Sequence, residues 1–489
     1  MVSVCLYFQV HQPYRIRRYQ IFDIGRHHNY FDENKNKEVL NKVIEKCYMP
    51  TNSLLLELIN SMDGKFKVSF SFTGVVLEQL EAYAPHIIES FKALVDTGCV
   101  ELLNETYYHS LSFIHSMKEF EKQIDLHKKK MNSLFGFRPK VFRNTELIYN
   151  NELSNFISRL GYDGILAEGA DHIMGWRSPN FVYKSKSSGI KLLLKNYRLS
   201  DDIAFRFGEK NWEGYPLTAD KFAQWINKIN GNGNVVNLFM DYETFGEHQW
   251  ADKGIFNFLK ALPPELLKHP DNDFVTPGEA LSRYKPVAEL DVPNLVSWAD
   301  IERDLSAWLG NNMQKEAVRQ LHLLEDKIIK SGDDKLIKDW RILQSSDHFY
   351  YMCTKWFADG DVHKYFNPFN SPYDAFISFM NIINDLNMRL KKVEEMKKMN
   401  EKLKDVPEDK VFWANDGGVI KNLRELAPAL KKMHADTFSH HVNSEKNDFS
   451  NWVRDVVGDQ ELAEELKGIK NKKNAASIVS NRVKEIKSS

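Results

Sequence analysis

The sequence predicts an α/β protein: a parallel sheet with helical crossovers, then an all-helical region, then a small helical C-terminal unit. Three observations carry this. Seven short apolar, β-rich runs recur through the first 300 residues, and helix-patterned segments lie between many of them. Strands alternating with helices imply parallel pairing through crossovers. Beyond about residue 300 the β-rich runs stop and apolar residues recur every three to four positions. The chain of 489 residues suggests two to four domains at roughly 150 residues each, or one large barrel with appendages.

The strand candidates, in order, are Val2–Val10, Phe66–Thr73, Cys99–Asn104, Val141–Asn144, Asp163–Ala167, Ile190–Asn196 and Val235–Asp241, with Leu295–Trp298 as a further short run. Among the helices, Asn52–Met62 carries Leu54, Leu55, Leu58, Ile59 and Met62 on one stripe. His86–Thr97 and Lys118–Phe135 are similar, and Glu152–Leu160 stops at Gly161. Seven strands fit either a closed barrel or a doubly wound sheet, and spacing alone does not choose. Past residue 300, helices are expected over Asp300–Trp308, Met313–Lys330, Asp334–Ser345 and Tyr373–Asn400. The last repeats Phe376, Phe379, Ile383, Leu386, Leu390 and Val393 as a packed stripe. This places a barrel-sized sheet domain over 1–300, a helical domain over 301–400 and a separate unit over 410–489, with Pro407 in the linker between the last two.

Composition narrows the function. Lys and Arg total 66 against 67 Asp and Glu, a balance that argues against a dedicated nucleic-acid binder. No run of 18 apolar residues predicts a membrane span. The first ten residues lack a basic region and a small-residue cleavage site, so they read as a strand and the protein is expected in the cytoplasm. The four cysteines, Cys5, Cys47, Cys99 and Cys353, show no metal or disulfide spacing. HExxH, GxSxG, Walker A and GxGxxG sequences are absent, which disfavours helix-borne zinc, the hydrolase elbow, the phosphate loop and the dinucleotide fold. Motif spacing gives no zinc, disulfide or nucleotide site, and leaves open metal ligands gathered from separate strand ends.

In a parallel barrel, functional residues gather where strands end. The first strand runs into His11-Gln12-Pro13. The third carries Glu101 and leads through Asn104-Glu105 to His109. The fourth runs into Arg143-Asn144-Thr145-Glu146. The seventh ends in Asp241-Tyr242-Glu243 and continues to His248. The short run near residue 298 ends in Trp298-Ala299-Asp300-Ile301-Glu302. One acid after a strand is ordinarily a cap. Several converging on one mouth cost repulsion and desolvation unless chemistry needs them. Two carboxyls with separated pKa values are what glycoside hydrolysis requires, one charged and one holding a proton. Metal ligands gathered from separate strand ends are the competing use. Trp176, Trp212, Trp250 and Trp298 are candidates for sugar stacking.

Five stretches taken together resemble the five sequence regions of glycoside hydrolase family 57, closest to its α-amylase-like branch. They are Phe8-Gln-Val-His11-Gln12-Pro13, Val100-Glu101 to His109, Phe142-Arg-Asn-Thr-Glu146, Phe239-Met-Asp241-Tyr-Glu243 to His248, and Ser297-Trp298-Ala-Asp300-Ile-Glu302. Ser346-Asp347-His348 to Trp356, and on to His363, is similar to the same branch. The resemblance implies a (β/α)7 barrel followed by an all-helical domain that completes the cleft. It also implies a retaining mechanism on the α-1,4-glucosidic bonds of starch, glycogen or maltooligosaccharides, without cofactor. It assigns Glu146 as nucleophile and Asp241 as acid/base, and places His11, Glu101 and Asp300 at the cleaved subsite. His109, Glu243, His248 and Trp298 complete the expected substrate-binding set. The same resemblance leaves 4-α-glucanotransferase, branching enzyme and non-catalytic glucan-binding protein as alternatives, and a deacetylase-like metalloenzyme stands outside it. The last 80 residues, with His440-His441 and Asn447-Asp448-Phe449-Ser-Asn451-Trp452, resemble a small helical domain of unknown function, where a protein partner would dock.

Overall fold

The structure, a computed structural model, describes residues 2–355 and 366–488. The strands in chain order are β1 (Val2–Val10), β2 (Val68–Phe72), β3 (Val100–Leu102), β4 (Val141–Arg143), β5 (Gly164–Glu168), β6 (Tyr183–Ser185), β7 (Lys191–Lys195), β8 (Val235–Asp241), β9 (Asn272–Phe274), β10 (Glu289–Leu290), β11 (Phe412–Trp413) and β12 (Val419–Ile420). Strands β8, β1, β2 and β3 pair side by side and parallel, as do β4, β5 and β7. Two thin seams join these sets. Asn104 follows β3 and exchanges backbone hydrogen bonds with Val141 and Arg143. At the other seam the Asn196 N–H donates to the Asn237 carbonyl (2.9 Å), and the Asn237 amide donates to the Leu194 carbonyl (2.9 Å). The seven parallel strands thus close into a (β/α)7 barrel. All seven predicted runs are its staves.

The pattern of β1 explains its unbroken apolar run. All nine residues are buried because both faces of a barrel strand are covered. Val4, Leu6, Phe8 and Val10 face the surrounding helices, while Cys5 and Tyr7 join Leu103, Leu166, Leu193 and Phe239 in the barrel interior. The helix Pro277–Arg283 brings Ala280 and Leu281 into this interior cluster and closes the floor. Its N-cap, Thr276, forms a capping box with Glu279.

Some expectations need correction. Leu295–Trp298 is no strand; it makes only one isolated bridge, Val296 to Tyr149. The expected helix over Asp300–Trp308 shrinks to Ser306–Leu309, since Asp300 and Arg303 adopt left-handed φ of 52° and 53°, which an α-helix excludes. The helix expected over Met313–Lys330 breaks at Leu324 into two. Strands β6, β9 and β10 escaped the sequence reading. They are two or three residues long, too short for an alternating pattern to show.

The chain divides into two compact units, residues 1–326 with 337–385, and residues 327–336 with 386–489. The first holds the barrel and the helices up to residue 385. The second packs Leu423, Leu426, Leu430, Phe438, Phe449, Trp452 and Leu466 into a core of its own. It also contains a two-stranded antiparallel ribbon, β11 with β12, absent from the expectation of a small helical unit over 410–489. His441 tethers this ribbon: its ring accepts the Asn415 N–H (3.0 Å) and faces Asp448 (3.0 Å).

Candidate active site

At the C-terminal end of the barrel lies a cavity of about 150 Å³. His11, His109, Glu146, Asp241, Glu243, His248, Trp298 and Asp300 all line it. His11 follows β1, His109 follows β3 and Glu146 follows β4; Asp241 ends β8, Glu243 and His248 follow it, and Trp298 and Asp300 come from the loop ending at Asp300. The helical segments after residue 300 contribute Trp308, Asp347 and Tyr350.

Glu146 sits on a single turn of 3₁₀ helix after β4 with φ of 57°, and Leu147 follows at 51°. Such left-handed residues cost of order 1–3 kcal/mol each and persist where the surroundings over-determine them. Here they are held from three sides. The Trp298 indole N–H donates to Glu146 Oε2 (2.7 Å), the Ser346 hydroxyl donates to Oε1 (2.9 Å), and His109 Nε2 lies 3.2 Å from Oε1. The Trp298 backbone N–H also donates to the Glu146 carbonyl (3.1 Å). Burial works to raise the Glu146 pKa. The hydrogen bond and charge of His109, the Arg143 guanidinium and the Trp298 N–H outweigh it and bring the carboxyl down to about 2.

Asp241, the last residue of β8, goes the other way. Burial and then the negative charge of Glu146 push it up to about 6, against the weaker pull of Arg143, Lys195 and His109. Across one cavity the protein therefore keeps one carboxyl ionised and the other protonated in mildly acidic solution. Glu243, two residues on, is pushed up to about 8 by burial and by Asp241. Its Oε1 accepts from the Tyr48 hydroxyl (2.6 Å) and the Gln12 amide (3.3 Å).

Below the cavity a polar chain runs down the barrel axis. His109 Nδ1 lies 3.3 Å from Glu105 Oε2, Glu105 Oε1 accepts from the Gln9 amide (3.0 Å), and Gln9 Oε1 accepts from the Tyr7 hydroxyl (2.8 Å). Burial acts to lower the His109 pKa, but its bonds to Glu105 and Glu146 raise it to about 9, so the ring is a cation between two carboxylates. His109 also has left-handed φ, 51°. The His11 ring stacks on it at 4.0 Å and bonds Thr73 (2.9 Å) and Asp347 (2.9 Å).

Glu101 is the predicted residue that the cavity does not receive. Its side chain points to the barrel floor, where Oε2 accepts the Gly278 N–H (2.7 Å) at the start of the floor helix. The physical reason is the β-strand period: Glu101 shares a face with Leu103 and Glu105, and Glu105 lies at the upper end. Of the tryptophans, Trp298 lines the cavity, with Arg143 and Lys195 at 5.0 and 5.2 Å from its ring centre. Trp176 is 93% exposed, Trp250 carries Lys46 over its ring (5.7 Å), and none of Trp176, Trp212 and Trp250 lines the cavity. Sequence reasoning missed Glu105, Arg143, Lys195, Ser346 and Asp347 as working parts. A charged residue inside or ending an apolar strand, as at Arg143 and Lys195, was the available signal. The stretch from Trp356 to His363 lies outside the described residues.

A closed parallel barrel whose mouth holds one ionised and one protonated carboxyl in a shared cavity is the equipment of a glycosidase. The sequence model of glycosyl hydrolase family 57 matches residues 5–293, and the chain belongs to that family. It is 46% identical over 403 residues to the Methanocaldococcus jannaschii protein named "Putative alpha-amylase", covering 79% of this chain and 84% of that one. It is 22% identical over 298 residues to alpha-amylase 1 of Dictyoglomus thermophilum, covering 58% of this chain but only 40% of that longer protein. Among solved structures, the branching enzyme of Thermococcus kodakaraensis superposes with a TM-score of 0.56 at 15% identity, over 80% of this chain and 94% of that one. No helix among the described residues is long and apolar enough to cross a membrane.

Proposed function

We propose that the chain is a retaining, α-amylase-like glycosidase that cleaves α-1,4-glucosidic bonds of starch, glycogen or maltooligosaccharides. The observation that carries this reading is the placement of Glu146 and Asp241 in one cavity at the barrel mouth, with the Glu146 carboxylate fixed by Trp298, Ser346 and His109; burial and the Glu146 charge raise the Asp241 pKa while His109 and Arg143 lower that of Glu146. Glu146 attacks the anomeric carbon while Asp241 gives its proton to the departing glycosidic oxygen. The first step leaves Glu146 esterified to the sugar and Asp241 ionised. Esterification removes the negative charge that helped raise Asp241, so its pKa falls after the first step. Asp241 then takes a proton from water, and the hydroxide oxygen displaces Glu146 from the sugar. Glu243, neutral and fixed by Tyr48, packs beside this pair without adding a second negative charge. His11, His109 and Trp298, whose ring nitrogens are bonded within the protein, shape the wall of the subsite, and Asp300 and His248 face the same cavity toward the glucose hydroxyls.

The test is hydrolysis of maltoheptaose followed by NMR of the first-formed anomer. Retention predicts the α-anomer, and a β-anomer refutes the double displacement. Asp241→Asn should lower kcat by roughly 10²–10⁴-fold, the usual contribution of a positioned proton donor, and Glu146→Gln should fall to background. Chains longer than maltoheptaose among the products would place a sugar hydroxyl, rather than water, as the acceptor. A crystal complex with acarbose should show the Glu146 and Asp241 carboxyls about 5–5.5 Å apart.

A further inference from the structure

A second depression opens on the barrel unit, a groove of about 810 Å³ lined by Tyr197, Arg198, Asp202, Arg206, Trp212 and Trp225 among others. The helix Tyr197–Ala204 serves both depressions. Its C-terminal end sends Ala204, and the next residue Phe205, to the catalytic cavity, while Tyr197, Arg198 and Asp202 line the groove. We propose that this groove is a second α-glucan site, holding a stretch of the polymer outside the cleaved subsite. The proposal rests on the α-glucan reading given above.

The chemistry of the walls fits a neutral polyol. A glucan chain presents C–H faces that pack on aromatic rings and hydroxyls that both donate and accept hydrogen bonds. The groove is lined by three aromatic rings; Tyr197 already carries the Arg303 and Arg198 guanidiniums over its ring (4.8 and 5.8 Å), so Trp212 and Trp225 are the rings assigned to the sugar. Trp212 and Trp225 meet edge to face at 6.0 Å. The Trp212 indole lies directly over Gly214, where an added Cβ would come within 2.5 Å of the ring, so the missing side chain lets the ring lie flat. Between the rings stand forked polar groups. The Arg206 guanidinium is braced by Asp202 (Nε to Oδ1, 2.7 Å) and by the Arg198 carbonyl (3.0 Å), and lies 5.7 Å from the Trp212 ring centre. Lys221 is spent on the Gly214 and Pro216 carbonyls (3.0 Å each). Two arginines and a lysine against Asp202 and Glu213 give mixed charge, not the one-signed field that an anion or polycation site would need.

The experiment uses the full chain. Electrophoretic retardation of the Glu146→Gln protein in glycogen gels reads binding without turnover, and the ratio of kcat/KM on glycogen to that on maltotriose is read in the otherwise unaltered enzyme. Trp212→Ala, and Arg206→Ala, which keeps both indoles and their edge-to-face contact while removing the guanidinium beside Trp212, should each weaken glycogen retardation by about tenfold in apparent Kd. The glycogen-to-maltotriose ratio should fall by a similar factor, and Trp212→Phe should recover most of it. Enzyme that cleaves maltooligosaccharides while the folded groove variants retain full glycogen retardation overturns the second site alone. A protein that neither cleaves nor binds any α-glucan overturns the proposed function and the groove's ligand together.

Discussion

The two ends of the barrel receive glutamates from one short segment and treat them oppositely. Glu101, Leu103 and Glu105 face the barrel axis in succession, with Leu103 in the interior cluster and about 13 Å of extended chain between the two acids at roughly 3.3 Å per residue. At the floor, burial raises the Glu101 pKa, with only the Thr276 hydroxyl and the Gly278 N–H opposing. At the mouth, burial would also raise Glu105, yet His109, Arg143 and His127 overcome it and bring it down to about 2. Residue type and strand are the same; what differs is the company at each end. The floor uses a carboxyl as a hydrogen-bond acceptor for a helix start. The mouth uses one as a fixed anion that makes His109 a cation, which in turn keeps Glu146 ionised. Among the described residues, five of the six non-glycine residues with positive φ, His109, Glu146, Leu147, Asp300 and Arg303, belong to the mouth segments, so left-handed backbone is also concentrated at that end.

The largest expected effect that sharpens this contrast comes from His109→Asn. Removing the cation takes away the leading stabiliser of the Glu146 carboxylate, and kcat/KM should fall on the order of 10²-fold, the loss expected for a charged hydrogen bond of about 2–3 kcal/mol. The pH profile separates this from a packing defect. In the proposed mechanism Glu146 acts ionised and Asp241 protonated, so the native profile should be bell-shaped with limbs near the two values of about 2 and about 6. His109 lowers both carboxyls, so its loss should move both limbs to higher pH. A variant with reduced activity but unmoved limbs would break the link between His109 and Glu146.

Trp298→Phe comes next, at roughly tenfold in kcat/KM, because it deletes one of the hydrogen bonds to the Glu146 carboxylate while keeping the ring between Arg143 and Lys195. Its acid limb alone should rise, since Trp298 lowers Glu146 and is not among the groups acting on Asp241. Steady-state kinetics from pH 2 to 8 would show this, and an equal shift of both limbs would contradict it.

Glu105→Gln should cost less activity, about three- to tenfold, because it acts through His109 rather than on substrate. It carries a stability signature as well. The folded pKa of Glu105 lies below its ordinary value, so its stabilising contribution is present above about pH 4.5 and lost as pH falls through about 2. Thermal unfolding of the variant should therefore depend less on pH across that acid window than the unaltered protein does. An unchanged acid profile would mean that Glu105 is not the ionised partner of His109.

Much of this contrast was legible in the sequence, and the part that was not has a physical cause. The seven staves show in the sequence because barrel strands are apolar on both faces; acids at strand ends were visible too, Asp241 closing its run and Glu146 just after its own, while the choice of this pair came from the family resemblance. The barrel closure was not legible, because its seams are single backbone exchanges at Asn104 and Asn196 that leave no pattern in composition. Glu101 was placed with the mouth because a motif match carries no height along the strand: Glu101 and Glu105 share one face, and only the register of β3 against β2, with Glu101 opposite Ser69, sets which one lies at the mouth end, under His109. Arg143, buried inside a strand, and Ser346, more than two hundred residues away, belong to the site through packing alone.

The smallest activity effect, and the one that tests the contrast from its other end, is expected of Glu101→Gln. The amide oxygen can still accept the Gly278 N–H, so the floor helix keeps its anchor and kcat/KM should stay within about twofold. The folded pKa of Glu101 is raised, so its contribution to stability is full below its ordinary value of about 4.5 and declines as pH rises through the folded value. The variant should lose that decline, and its thermal stability should be flatter than the unaltered protein's from pH 4.5 upward. Glu101→Leu separates charge from hydrogen bonding. It leaves the Gly278 N–H without an acceptor in a crowded floor and should cost about 1–3 kcal/mol of stability with turnover of the folded fraction preserved. A large loss of kcat in a folded Glu101→Gln protein would put this residue back among the groups that meet the sugar and would dissolve the distinction between floor and mouth.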